Sequence, residues 1–252
     1  MQVDNLQVKL LPTRQALGAE AARDIHEKIL SLLSQKEEIN MIFAAAPSQN
    51  ETLEALLGYD DIAWERINAF HMDEYIGLAA ADMDKSFGAY LSAHIFSKAP
   101  FKSVNLIHCT EKDLQAECRR YAQLLATHKI DIVVMGIGEN GHIAFNDPPV
   151  ADFQDPEVIK AVKLDEVCRQ QQVNDGCFAS IDCVPTHALT LTCPTLFSAD
   201  HLFCVVPAAT KADAVYHTLN DHIGEACPAT ILRRHSSAVL YLDAQSSGKL
   251  NV

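Results

Sequence analysis

The chain has 252 residues, of which 48% are hydrophobic and 21% charged, enough apolar material for the core of one large α/β domain. Its formal net charge of −13 argues against nucleic acid, whose binding draws on basic patches that neutralise phosphates. If the ligand is an anionic small molecule, a few local cations and helix N-termini must hold it against the overall field.

From the N-terminus, Met1-Gln2-Val3-Asp4-Asn5 shows no basic start followed by an apolar run, and no segment approaches transmembrane length. A soluble cytoplasmic protein without membrane partners is expected. Residues 13–35 place Leu17, Ala21, Ile25, Ile29 and Leu32-Leu33 at helical spacing. Met41 to Ala46 reads as a strand, Pro47 to Asn50 as the loop after it, and Glu51 to Leu57 as a helix. A strand over residues 66–70 leads into His71-Met72-Asp73-Glu74-Tyr75. Ser86 to Phe96 reads as a helix, Ser103 to Ile107 as a strand, and Glu111 to Thr127 as a helix with Leu114, Cys118, Tyr121 and Leu125 in register. Ile130 to Met135 is short, β-branched and apolar, the pattern of a buried strand. Val150 to Pro156 is loop-like and is expected to fold over the site. His187 to Thr192, His201 to Val206 and Ala238 to Leu242 supply the last strands, with a helix over residues 211–219.

Strands alternating with helices predict an α/β fold, a Rossmann-like and predominantly parallel sheet with helices on both faces. No repeat, low-complexity tract or linker interrupts residues 1–252, so one domain is expected. The eight cysteines contain no Cys-x-x-Cys pair and sit mostly among apolar neighbours, which suits reduced thiols acting as small hydrophobes.

Ligands of such sheets bind beyond the carboxyl ends of the strands. Three loops meet that condition: Pro47 to Asn50, His71 to Gly77, and Gly136-Ile137-Gly138-Glu139-Asn140-Gly141-His142-Ile143-Ala144-Phe145-Asn146-Asp147. In the last, Asp147 can hydrogen-bond one nitrogen of His142 and leave the other to exchange a proton with substrate. Asp73 is either a helix cap or a carboxylate base at the mouth of the sheet. Lys211, at a helix start directly after a strand, is either a surface cation or part of a phosphate seat completed by Ser48 and Gln49. Asp73, His142 and Asp147 would suit a divalent ion, but without a His-x-x-x-His or Cys/His cluster no metal is expected. The Gly-x-Gly-x-x-Gly spacing imitates a dinucleotide fingerprint, yet Pro148-Pro149 follows where a helix should continue. No cofactor is expected.

Two long motifs resemble the glucosamine-6-phosphate deaminase (isomerase) family, which is related in fold to 6-phosphogluconolactonases. Phe70-His71-Met72-Asp73-Glu74-Tyr75-Ile76-Gly77-Leu78 is similar to that family's Phe-Asn-Met-Asp-Glu-Tyr-Val-Gly-Leu. The glycine-rich loop resembles its Gly-x-Gly-x-Asp-Gly-His-Ile-Ala-Phe-Asn-Glu, and His187-Ala188-Leu189-Thr190 and the Lys211 segment follow in the right order. The resemblance implies a deaminase-like fold and an aldose–ketose isomerisation that expels ammonia from a phosphorylated amino sugar. It implies that His142 assists ring opening and that Asp73 moves a proton from C2 to C1. Asp147 and Asn140 would orient and tune His142. Ser48, Gln49 and Lys211 would hold phosphate, with Glu74, Gly138 and Gly141 contacting the sugar. A homo-oligomer is compatible with this reading.

Three departures stand out. Asn140 occupies the position of an aspartate, and an amide cannot offset imidazolium charge as a carboxylate does; some galactosamine-6-phosphate relatives also carry Asn there. Ala46-Pro47-Ser48-Gln49 replaces a Gly-Gly-Thr-Pro phosphate loop, which restricts φ and removes one N–H. Gln172 falls where the family has an arginine, and Arg169, one helical turn earlier, is the expected substitute. A 6-phosphogluconolactonase-like hydrolase and a non-catalytic sugar-phosphate sensor are the competing readings.

Overall fold

The computed structural model describes residues 1–109 and 113–250. In the first half, strands β1 (Gln2–Val3), β2 (Leu6–Leu11), β3 (Ile39–Phe43), β4 (Ile67–His71), β5 (Asp73–Ile76) and β6 (Ser103–Asn105) alternate with helices α1 (Arg14–Leu33), α2 (Asn50–Leu57) and α3 (Phe87–Leu91). Helix α4 (Leu114–Thr127) leads to β7 (Ile132–Met135), β8 (Ile159–Lys163), α5 (Glu166–Asn174) and β9 (His187–Leu191). Helix α6 (Cys193–Phe197), β10 (His201–Val206), α7 (Ala212–Asn220) and β11 (Ala238–Asp243) complete the order.

Eight strands form one sheet in the order β1-β2-β11-β10-β7-β3-β4-β6, parallel throughout except for the β1–β2 edge pair. The alternation of side chains across each strand feeds two cores. Ile42, Val133, Cys204 and Leu240 face one side, where Tyr121 of α4 and Val215 of α7 cover them. Phe43, Val134, Val205 and Tyr241 face the other, beneath Leu17, Ile25 and Ile29 of α1 and Leu53 of α2. Thr13 caps α1 by accepting the Ala16 N–H at 3.1 Å. The expected fold class is therefore the observed one, with helices on both faces.

Two parts differ from the expectation. His187–Leu191 and Asp73–Ile76 do not extend the main sheet. They pair antiparallel, with β8, in a separate sheet ordered β5-β9-β8. Short apolar runs carry no signal that says which sheet they join. The segment Val150 to Pro156 was expected over the site, yet it does not line the cleft described below. It is held aside by Lys160, whose ammonium reaches Val150 O at 2.8 Å and Asp155 Oδ2 at 2.6 Å. The expected start of the fourth helix, Glu111, lies outside the described residues; Asp113 caps α4 through the Ala116 N–H. Among the described residues no helix is long and apolar enough to cross a membrane.

The small sheet roofs a third cluster, in which Tyr75, Phe87, Phe145 and Phe178 pack with Val162. Ring centroids 4.6 Å apart for Tyr75–Phe87 and 5.5 Å for Phe87–Phe145 make this a rigid aromatic wall.

Candidate active site

Strands β10, β7, β3 and β4 are neighbours with their carboxyl ends at one edge, so the loops that follow them meet. They line one cleft that brings together Ser48, Asp73, Gly138, His142, Gln172 and Lys211. A larger hollow of about 570 Å³ lies behind Glu74, whereas this cleft encloses only about 100 Å³. The chemistry nevertheless points to the narrower one. Among the described residues, the one carboxylate lining the larger hollow, that of Glu74, is already engaged by three backbone N–H groups.

The His142 loop is shaped by close approach. A Cβ at Gly138 would overlap the imidazole of His142, so only glycine lets the ring fold over the loop. Gly141 has φ +83°, and a Cβ there would stand 2.5 Å from Cys227 Sγ. Hydrogen bonds from Gly138 N to His142 O at 2.9 Å and from Gly141 N to Gly138 O at 3.0 Å close the turn. Asn146 ties the far side to β9 by donating to Leu191 O at 2.8 Å.

Within the loop, Nδ1 of His142 lies 2.8 Å from Asn140 Oδ1 and 2.9 Å from Asp147 Oδ1. Both oxygens are acceptors, which places the proton on Nδ1 and leaves Nε2 as the nitrogen for exchange. Asn140 does more than receive. Its Nδ2 donates to Asp147 Oδ1 at 2.9 Å, and its Oδ1 accepts the His142 N–H at 3.0 Å. Burial pushes the Asp147 carboxyl up, but hydrogen bonds from His142 and Asn140 and the backbone N–H of Asp165 outweigh it and hold Asp147 below the ordinary range. Asp147 and Asn140 stand behind His142 rather than on the cleft surface.

Asp73 opens β5 opposite Thr190 and lines the cleft directly. Burial, followed by the charge of neighbouring Glu74, pushes its carboxyl well above the ordinary value. A carboxyl so raised is a better proton acceptor when ionised, as a general base requires. Glu74 was expected to touch the sugar, but alternation along β5 turns it to the opposite side. There it accepts from Tyr75 N at 2.9 Å, Phe87 N at 3.0 Å and Gly88 N at 2.9 Å, capping α3.

At the other end of the cleft, the Lys211 Nζ is buried with no hydrogen-bond partner. Burial pulls its ammonium below the ordinary value, against the attraction of Asp175 and Glu139. Ser48 lines the cleft beside it, whereas Gln49 lies beneath the loop and braces it, donating to Ser48 Oγ at 2.9 Å and Val205 O at 3.2 Å. Gln172 reaches the cleft and accepts the Tyr75 hydroxyl at 2.8 Å. Arg169, the expected substitute cation, does not. Its guanidinium binds Ile181 O at 2.6 Å and Val184 O at 2.9 Å and so pins the chain after α5.

Three charged or amide-bearing lining residues escaped sequence reasoning: Arg14, Gln171 and Asp175. Gln171 accepts the Glu139 N–H at 2.8 Å and so braces the His142 loop. None of the three lies in a glycine-rich or strand-end motif, so no local signal marks them. His142, Asp147 and Cys168 also offer ligand atoms within 4.8 Å of one another, a set able to hold a soft divalent ion. One feature favours a hydrogen-bonded relay instead: Nδ1 and Asp147 already satisfy each other.

The fold and the strand-end cleft place the protein among α/β proteins whose ligand sites lie beyond the carboxyl ends of a parallel sheet. Residues 12–241 match the family described as glucosamine-6-phosphate isomerases/6-phosphogluconolactonase. The chain is 33% identical over 244 residues to a glucosamine-6-phosphate deaminase of Listeria monocytogenes, covering 96% of this chain and all of that protein. It is 31% identical over 227 residues to one from Bacillus cereus, covering 90% of this chain and 84% of that protein. Its structure superposes on a monomeric glucosamine-6-phosphate deaminase with a TM-score of 0.85 at 29% identity, covering 96% and 99% of the two chains. A 6-phosphogluconolactonase from Thermotoga maritima shares the fold, with a TM-score of 0.76 at 19% identity over 94% and 99%. The chain belongs to the glucosamine-6-phosphate isomerase/6-phosphogluconolactonase family.

Proposed function

We propose that the protein is an amino-sugar 6-phosphate deaminase. It converts glucosamine 6-phosphate to fructose 6-phosphate and ammonia, or carries the C4 epimer, galactosamine 6-phosphate, to tagatose 6-phosphate. The observation that carries this reading is one cleft holding a raised Asp73 carboxyl, a His142 ring fixed through Nδ1, and an unpartnered Lys211 ammonium.

In the proposed sequence, the Nε2 side of His142 relays the anomeric hydroxyl proton to the ring oxygen, and the sugar opens. Asp73 removes the proton at C2 and returns it at C1, turning the amino-aldehyde into a ketose imine. Water adds to the imine and ammonia leaves. Two proton transfers at separate carbons and oxygens require two separate acid/base groups, and the remote phosphate supplies binding energy for their alignment. Asp147 and Asn140 act through His142; Ser48 and Lys211 receive the phosphate. The chain acts as one domain and needs no cofactor for these steps.

Incubation with each amino-sugar 6-phosphate should release one ammonia for each ketose 6-phosphate formed. Tight binding of both epimers without ammonia release would sink the enzyme reading in favour of a sugar-phosphate sensor.

A further inference from the structure

We propose that Arg14, at the start of α1, is the second cation of the anion subsite and sets preference for the phosphorylated over the unphosphorylated sugar. This rests on the reading of the cleft as a sugar-phosphate site. Arg14 and Lys211 are the two arginine or lysine side chains among the described residues that line the cleft. Facing them are the carboxylates of Asp73 and Asp175. A phosphate monoester carries close to two negative charges at neutral pH. Lys211 alone, already offset by Asp175, does not balance such a ligand in a chain of net charge −13.

Arg14 is also held in place for the task. Its Nε donates to Glu51 Oε1 at 2.6 Å, and its Nη2 donates to Pro47 O, the carbonyl next to Ser48. Its Nη1 has no partner among the described residues. A guanidinium with one edge anchored and an amino group left over is a preorganised phosphate donor. The anchoring has a second consequence. Proline at 47 has no N–H to offer an oxyanion, so the loop cannot cradle phosphate with consecutive backbone donors. Arg14 supplies side-chain N–H groups at the same loop. The unpartnered, buried Nζ of Lys211 is the independent sign that an anion belongs here.

Isothermal titration of inorganic phosphate into the intact protein tests the proposal without requiring turnover. Arg14→Gln should weaken phosphate binding at least tenfold. It should also raise KM for the amino-sugar 6-phosphate by a similar factor, with kcat within about threefold and no change in kcat/KM for the unphosphorylated amino sugar. Glu51→Gln removes the charge that offsets Arg14 while keeping an acceptor for its Nε. It should tighten phosphate severalfold, whereas a purely structural clamp would be loosened and phosphate would bind more weakly. Phosphate affinity lost in Lys211→Ala but unchanged in Arg14→Gln would overturn the proposal and leave the sugar-phosphate reading standing. Absence of phosphate binding in the wild type would overturn it as well. Phosphate binding that depends on Arg14 in a protein releasing no ammonia would instead uphold it and end the deaminase reading.

Discussion

The two ends of the cleft are built differently. Around His142, three side chains hold one another: Asn140 bridges His142 and Asp147, and Asp147 also accepts from Asp165 N at 3.2 Å, while Glu139 Oε1 and Asn146 Oδ1 of the same loop are buried without partners. At the Lys211 end, an ammonium and the Gln49 Oε1 are buried without partners. A satisfied network is rigid and fixes geometry before substrate arrives, as proton transfer demands. An unsatisfied cation is costly in the empty protein and is stabilised by the ligand that completes it. The contrast separates a group of residues that should set kcat from a group that should set KM.

The largest effect is expected at Asp73, which lines the cleft as the expected base. Asp73→Asn should lower kcat by about 10²–10⁴-fold, the usual weight of a general base, while phosphate affinity stays within about threefold. Near-normal kcat in that variant would remove Asp73 from the base role. Lys211→Ala should chiefly raise KM, by about tenfold or more, with a smaller change in kcat; an equal loss in kcat would erase the proposed division between the ends.

A subtler variant sharpens the picture of the relay. Asn140→Asp removes the amide that donates to Asp147 and sets two carboxylates side by side around Nδ1. The two carboxylates repel each other where the amide had donated, yet Nδ1 keeps an acceptor, so the maximal rate should change by less than tenfold. A tenfold or larger gain would show that the amide, rather than the anion end, limits the reaction.

The smallest expected effect lies just outside the cleft. His71 accepts the Ile107 N–H through Nε2 at 2.7 Å, and burial, with the charge of His108 adding, pulls its pKa from 6.5 to about 3. A folded value below the unfolded one means that the unfolded chain takes up a proton the folded state refuses. Stability from this group is therefore intact above pH 6.5 and declines between pH 6.5 and about 3 as pH falls, by up to about 1.4 kcal/mol per pH unit. His71→Asn should lose some packing at pH 7 but show a shallower fall in Tm towards pH 5. Parallel Tm curves for the two proteins would contradict a neutral buried His71.

Much of this was legible in the chain, for identifiable reasons. Ile130 to Met135 and His201 to Val206 announce themselves because central parallel strands are apolar on both faces. The glycines before His142 are visible because close backbone approach leaves no alternative residue at Gly138. The second sheet was hidden, since β5 and β9 are too short to declare their partners. Glu74 misled because a strand separates adjacent carboxylates onto opposite faces, a distinction that sequence proximity erases. Arg169 and Arg14 exchanged places in effect. Which arginine reaches the cleft depends on how α1 and α5 dock, and neither helix carries that information locally.

Substrate deuterated at C2 puts the central claim, that Asp73 is the base of an amino-sugar phosphate isomerisation in this cleft, to its most direct test. Release of ammonia and fate of the label are followed together by NMR, in wild type and in Asp73→Asn. The wild type should lose deuterium from C2 at the rate of ammonia release, and the variant should bind the sugar phosphate while retaining the label. Loss of label at the wild-type rate in Asp73→Asn would contradict the account.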